Sequence, residues 1–173
     1  MFKYLLTGTV IFFFLLSKAQ NPLHISVSNT TLAATDSVLP FWFAANQHGK
    51  IKENNSFLNI SEIAIGQNYQ NTNTRKLGYS WGSDFVAAFG ECNYYQINQA
   101  FAGVSVKGWE LKGGMFYDEI RFAGLSTSNG NLAASGNARP VPKVRIATLG
   151  YKQLPFWQNW FSFMGEYEEG FLN

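Results

Sequence analysis

"YSWGSDFVAAFG", residues Tyr79 to Gly90, decides the fold class. Tyr79, Trp81, Ser83, Phe85, Ala87 and Phe89 form one alternate set, and Ser80, Gly82, Asp84, Val86 and Ala88 form the other. That is period two, with an aromatic face and a small or polar face, and it predicts a β-strand. The stretch from Trp109 to Tyr117 alternates in the same way: Trp109, Leu111, Met115 and Tyr117 on one face, Glu110 and Lys112 on the other. Val144 and Ile146 alternate with Lys143 and Arg145, and in "NWFSFMGEYEEG" Phe161, Phe163 and Tyr167 oppose Ser162, Glu166 and Glu168. Runs at Phe57–Gly66 and Tyr95–Val106 also read as strands. A Lys107-Gly108 pair fits a two-residue hairpin turn, and "GECN" joins the Tyr79 and Tyr95 strands. The sum is an antiparallel meander of strands longer than the ~5–6 residues usual in sheets, and long enough for the ~9–11 residues with which a tilted strand crosses a bilayer.

Composition narrows the choices. The chain has 173 residues, enough for one domain. Residues 1–19 carry Lys3, an apolar run from Tyr4 to Leu16 and a Ser17-Lys18-Ala19 site, the pattern of a secretory signal peptide cut after Ala19. The run is shorter than the ~20 residues of a spanning helix. Lys and Arg number 13 against 11 Asp and Glu, so removal of Lys3 and Lys18 leaves the mature chain neutral. A nucleic-acid partner is therefore not expected. Cys92 is the only cysteine, which excludes an internal disulfide. No cluster has metal-ligand spacing, no phosphate-binding glycine loop is present, and no cofactor is expected. Aromatic residues make up 17% and charged residues only 14% of the chain, so it has either a large aromatic core or strands that face lipid.

Trp and Tyr lie near strand ends (Tyr79, Trp81, Tyr95, Trp109, Tyr117, Trp160), as in the aromatic girdles of membrane barrels. The expected fold class is therefore all-β, an antiparallel β-meander forming part of a large outer-membrane β-barrel with an apolar outside and a polar lumen. A secreted β-sandwich with an aromatic core is the alternative. Six strands are clear, and "PLHISVSNT" and "LPFWFAAN" bring the number to seven or eight, whereas bacterial barrels begin at eight. Residues 20–173 therefore read as the N-terminal portion of a barrel.

Four segments then carry a resemblance: "LPFWFAANQHGKI" (Leu39–Ile51), "WGSDFVAAF" (Trp81–Phe89), "QAFAGVSVKGWELKGGMFYDE" (Gln99–Glu119) and "SGNARPVPKVRIATLGY" (Ser135–Tyr151). Together they resemble the capsule assembly protein Wzi family in its Bacteroidetes-type branch. The Ser-Gly-Asn-x-x-Pro-x-Pro-x-x-x-Ile block is the most specific piece. The resemblance implies an outer-membrane barrel lectin that helps attach or assemble capsular or another surface polysaccharide, with outer-membrane lipid around it and no enzymatic activity. A porin or specific diffusion channel is the alternative function, and a soluble carbohydrate-binding β-protein is a third.

Arg139, Lys143, Arg145 and Trp42 are the candidate glycan-binding residues. Capsules are commonly acidic, guanidinium groups pair with carboxylates through two hydrogen bonds, and aromatic faces stack on sugar rings. Lys143 and Arg145 share a side with Glu110, Lys112, Glu166 and Glu168, so cross-strand ion pairs are the competing explanation. Trp42, with Phe41 and Phe43, could equally pack as a girdle or plug. The segment Ile120–Pro142 reads as a long loop of the kind that carries function. Catalytic readings are weak: Asp118-Glu119 and Glu166, Glu168 and Glu169 hold carboxylates, but the sequence does not set their separation, and His24 and His48 have no visible nucleophile partner.

Overall fold

A computed structural model describes residues 23–36, 38–52, 55–68, 77–117, 136–154 and 160–171. The expected signal peptide and most of the Ile120–Pro142 segment lie outside these residues.

Seven strands form one antiparallel sheet in the order β1-β2-β3-β4-β5-β6-β9: β1 (His24–Ala33), β2 (Phe57–Gln67), β3 (Gly78–Gly90), β4 (Tyr94–Val106), β5 (Trp109–Met115), β6 (Pro142–Thr148) and β9 (Glu166–Gly170). A second sheet pairs only β7 (Lys152–Gln153) with β8 (Ser162–Phe163). Alternation made these segments strands, and the turns set their register. Lys107 and Gly108 both have positive φ (50° and 75°), the type I′ geometry that suits the twist of a hairpin.

The sheet is open. Its outer strands β1 and β9 pair with β2 and β6 respectively and not with each other. This overturns the expected barrel. Without closure there is no lumen, so the porin reading and the outer-membrane barrel lectin both fall, and the outer-membrane placement falls with them. The sandwich alternative fails as well, because the aromatic set of β3 is not a core: Phe85 and Phe89 are exposed, while Ser80, Asp84, Val86 and Ala88 are buried.

Burial is explained by the connection between β1 and β2. Residues 34–36, 38–52 and 55–56 fold across the other face of the sheet rather than adding the strand expected at "LPFWFAAN". A short helix, α1 (Phe41–Ala44), replaces that strand. Leu39 inserts between Leu58, Ile60, Val86, Ala88 and Tyr94, the main buried apolar cluster. Side chains of β4 fix the chain beyond it. The Tyr94 hydroxyl donates to the Lys50 carbonyl, Gln96 Nε2 to that of Gly49 (3.0 Å) and Asn98 Nδ2 to that of His48 (3.2 Å). Asn98 sits at a bulge, where Asp84 pairs with Gln99 and Phe85 with Ile97. The extra residue turns a further amide toward the covered face.

Two strand readings are corrected locally. Tyr117 does not share the face of Trp109 and Leu111. Gly114 has φ +121°, where a Cβ would lie 2.2 Å from the Ala100 carbonyl oxygen, and β5 ends at Met115. Phe116 is buried, and the Tyr117 hydroxyl reaches Asp84 on the covered side. The Phe161–Tyr167 strand is split into β8 and β9 around Gly165, whose N–H bonds the Thr148 hydroxyl (3.0 Å) and whose carbonyl accepts the Thr148 N–H (2.9 Å).

Candidate functional site

Register sorts the charges. Outward positions of β1–β6 hold no Asp, Glu, Lys or Arg, because Glu62, Asp84, Glu110, Lys112, Lys143 and Arg145 all fall on the opposite parity. These six share the polar face in two clusters.

The first cluster lies under the β1–β2 connection. Lys50 Nζ lies 2.5 Å from Glu62 Oε1 and 3.4 Å from Asp84 Oδ2. The Tyr117 hydroxyl donates to Asp84 Oδ2 (2.9 Å) and accepts from Asn98 Nδ2 (3.2 Å), and its ring stacks on His48 at 4.0 Å between centroids. Burial pushes the Tyr117 hydroxyl up to about 12; the Asp84 hydrogen bond and charge add to the rise, while Asn98 and Lys50 oppose it. Burial alone would lower the Lys50 pKa, but the Glu62 hydrogen bond and the charges around it leave it raised. These contacts tie the connection to β2, β3 and β4, which makes this cluster a fastener for it, although Asp84 Oδ1 is buried with no hydrogen-bond partner among the described residues.

The second cluster joins β5, β6 and β9. Arg145 Nη2 reaches both carboxylate oxygens of Glu110 (3.2 and 3.3 Å), and Lys143 Nζ bonds Glu168 Oε2 (3.1 Å). The ring of Phe116 is the hub: Lys112, Lys143 and Arg145 lie 4.4, 4.7 and 5.2 Å from its centroid. Lys112 Nζ also sits 3.9 Å over Phe101. Cations over aromatic faces are attracted by the ring quadrupole, so these rings hold the cations at fixed positions.

Beside the second cluster runs a groove of about 400 Å³, lined among others by His24, Ser80, Gln99, Phe101, Glu110, Lys112 and Arg145. Glycines open its floor. Gly66 pairs with Gly82 and Gly82 with Phe101, whose ring occupies the place a Gly82 Cβ would need (2.8 Å). Gly103 lies between Ser80 and Lys112, where an added Cβ would come within 2.8 Å of Ser80 Oγ. Ser80 is 5% exposed, and its hydroxyl has no hydrogen-bond partner among the described residues. A buried polar group left this way carries a desolvation penalty unless something else meets it.

The sequence candidates are divided by the structure. Lys143 and Arg145 meet around Phe116 in the cross-strand ion pairs that were the competing explanation. Arg139 stands apart from them, donating to the Ile97 carbonyl (2.7 Å) beside Gly49. It belongs to a clasp in which Gly136 and Asn137 bond the backbone of His48 and Asn46 (2.6 and 2.7 Å). Gly136 to Pro140 of the "SGNARP" block thus pack the β1–β2 connection. Trp42 on α1 is 73% exposed. Ser80, Gln99, Phe101 and Phe116 were not singled out as site residues. Their signal was parity with Lys112 and Arg145, together with glycines at facing positions.

Comparison with family models, curated proteins and solved structures finds no match to this chain. The resemblance to the Wzi family therefore rests on its sequence segments alone. Among the described residues no group of three or more His, Cys, Asp or Glu could hold a metal ion, and no helix is long and apolar enough to cross a membrane.

Proposed function

We propose that the chain binds an acidic saccharide in the groove on its polar face. One observation carries the reading: a groove on the polar face presents Gln99 and Glu110 together with the cations Lys112 and Arg145. A sugar ring offers hydroxyls that must both donate and accept. Gln99 can do either, Glu110 accepts, and Lys112 and Arg145 donate. Cationic donors bind a carboxylate through charge-assisted hydrogen bonds, roughly twice as strong as neutral ones. Their positions are fixed beforehand by Phe101, Phe116 and Glu110, which reduces the entropy lost on binding. The likeness of four segments to a capsule-assembly family supports the same ligand class. The reading involves binding and no chemical step.

Calorimetric titration with an oligouronate, and with the same oligosaccharide after carboxyl reduction, tests it. The expected result is binding of the first, weakened about tenfold or more in Lys112→Gln, which is about 1.4 kcal/mol. Equal affinity for the reduced oligosaccharide, or no binding of either, would overturn it.

A further inference from the structure

The other face of the sheet points to a different partner. Two cross-strand rows run across it: Ile63, Phe85 and Ile97 on β2–β4, and Val104, Leu111 and Ile146 on β4–β6. All six side chains are 42–51% exposed. Six strands about 4.8 Å apart, averaging ten residues at about 3.3 Å each, give a face on the order of 900 Å², polar at the corner formed by Asn29, Thr31, Asn59 and Ser61 and mostly apolar beyond it. Monomeric proteins rarely expose an apolar patch beyond about 300–600 Å², whereas a standard interface takes about 800 Å² from each partner. We propose that this face is a dimer interface, packed against the same face of a second copy of the chain.

The second copy is favoured over other occupants by area, charge and edges. The apolar segment Tyr4–Leu16 has 13 residues. As a helix it would be about 20 Å long and 10 Å wide, covering only about 200 Å². A hydrocarbon layer would surround the backbone groups of the outer strands β1 and β9 that have no strand partner among the described residues, which a lipid interior does not accommodate. A second copy fits both constraints. A two-fold interface sets a surface against itself, and outward β1–β6 positions carry no charge to repel its own image. Two sheets stacked this way lie about 10 Å apart with interdigitated side chains. The groove, on the opposite face, stays open in such a dimer, so the inference does not depend on the saccharide reading.

Sedimentation velocity of the whole chain without detergent, over a range of concentrations, is the test. The expected species is a dimer that Leu111→Lys converts to monomer, raising the dissociation constant about a hundredfold or more, while Lys112→Gln on the opposite face leaves it intact. Should Leu111→Lys fail to fold, Phe85→Cys, Val104→Cys and Leu111→Cys, each with Cys92→Ser, replace it. A bismaleimide cross-link between chains at any of them supports the interface, and none at all overturns it. A monomer at every concentration overturns the proposal. So does a monomer that co-sediments with phosphatidylcholine vesicles, or a dimer that resists Leu111→Lys and is lost on Val27→Pro, the mark of pairing through the β1 edge.

Discussion

The two faces of one sheet follow opposite rules. On the covered face Asp84, Asn98, Glu110, Lys143 and Arg145 are buried, and each is held by a named partner. On the other face Ile63, Phe85, Leu111 and Ile146 are exposed in register. Alternation alone would allow either face to be the core. The connection between β1 and β2 decides it, by placing Leu39 and Lys50 on the charged side. The lesson is that period two fixes which residues travel together, while a long-range cover fixes which set is buried. Stability should therefore respond far more to the polar face than to the apolar one.

The sharpest contrast is at Glu110, with side-chain exposure of 4% against 9% for its partner Arg145. Glu110→Ala strands a buried guanidinium, and removing one member of a buried pair costs about 3–5 kcal/mol. Glu168, 3.9 Å from Arg145 Nε, should bring the loss to about 3 kcal/mol in urea unfolding. A loss below about 1 kcal/mol would break the contrast. Next is Leu58→Ala under the connection, where Leu58 is fully buried. A loss of about 2–4 kcal/mol is expected from its lost burial and the cavity left behind.

Tyr117→Phe sharpens the comparison through pH. An acid group whose pKa is raised by folding contributes stability in full below its unfolded pKa and loses it as pH rises toward the folded one. For Tyr117 that window runs from its ordinary value of 10.0 to about 12. Lys50, raised above 10.5, likewise contributes below its unfolded value and loses that contribution as pH climbs through the folded one. Chemical denaturation at stepped alkaline pH should show wild-type stability falling through this window and a shallower fall in Tyr117→Phe. The variant should also lose about 1–2 kcal/mol at neutral pH, because Asp84 loses a buried donor. The smallest effect belongs to the apolar face: Val27→Thr, 73% exposed on β1, should stay within about 0.5 kcal/mol of wild type by thermal unfolding.

Much of this contrast was legible beforehand. The parity of Tyr79–Gly90, the two-residue turn at Lys107-Gly108, and the shared side of Glu110, Lys112, Lys143, Arg145, Glu166 and Glu168 are local patterns, and local patterns survive folding. Barrel closure was not legible, because it depends on whether β1 and β9 meet, and no residue spacing determines that. Nor was the role of Leu39–Ile51. Its aromatic run suggested a strand, but carbonyls of His48, Gly49 and Lys50 are claimed by β4 side chains far along the chain. At Tyr117 the period fails because Gly114 leaves the extended region, a conformational freedom that composition does not reveal. Of the site, Lys143 and Arg145 were visible as cations on a common side. The groove was not, since it arises where Gly66, Gly82 and Gly103 fall on neighbouring strands.

Carbene footprinting of side chains, with and without an oligouronate, tests the division of labour most directly. Ligand is expected to protect Phe101 and Lys112 while leaving Leu111 and Ile146 unchanged. Protection of Leu111 and Ile146, with Phe101 and Lys112 modified as before, would contradict it.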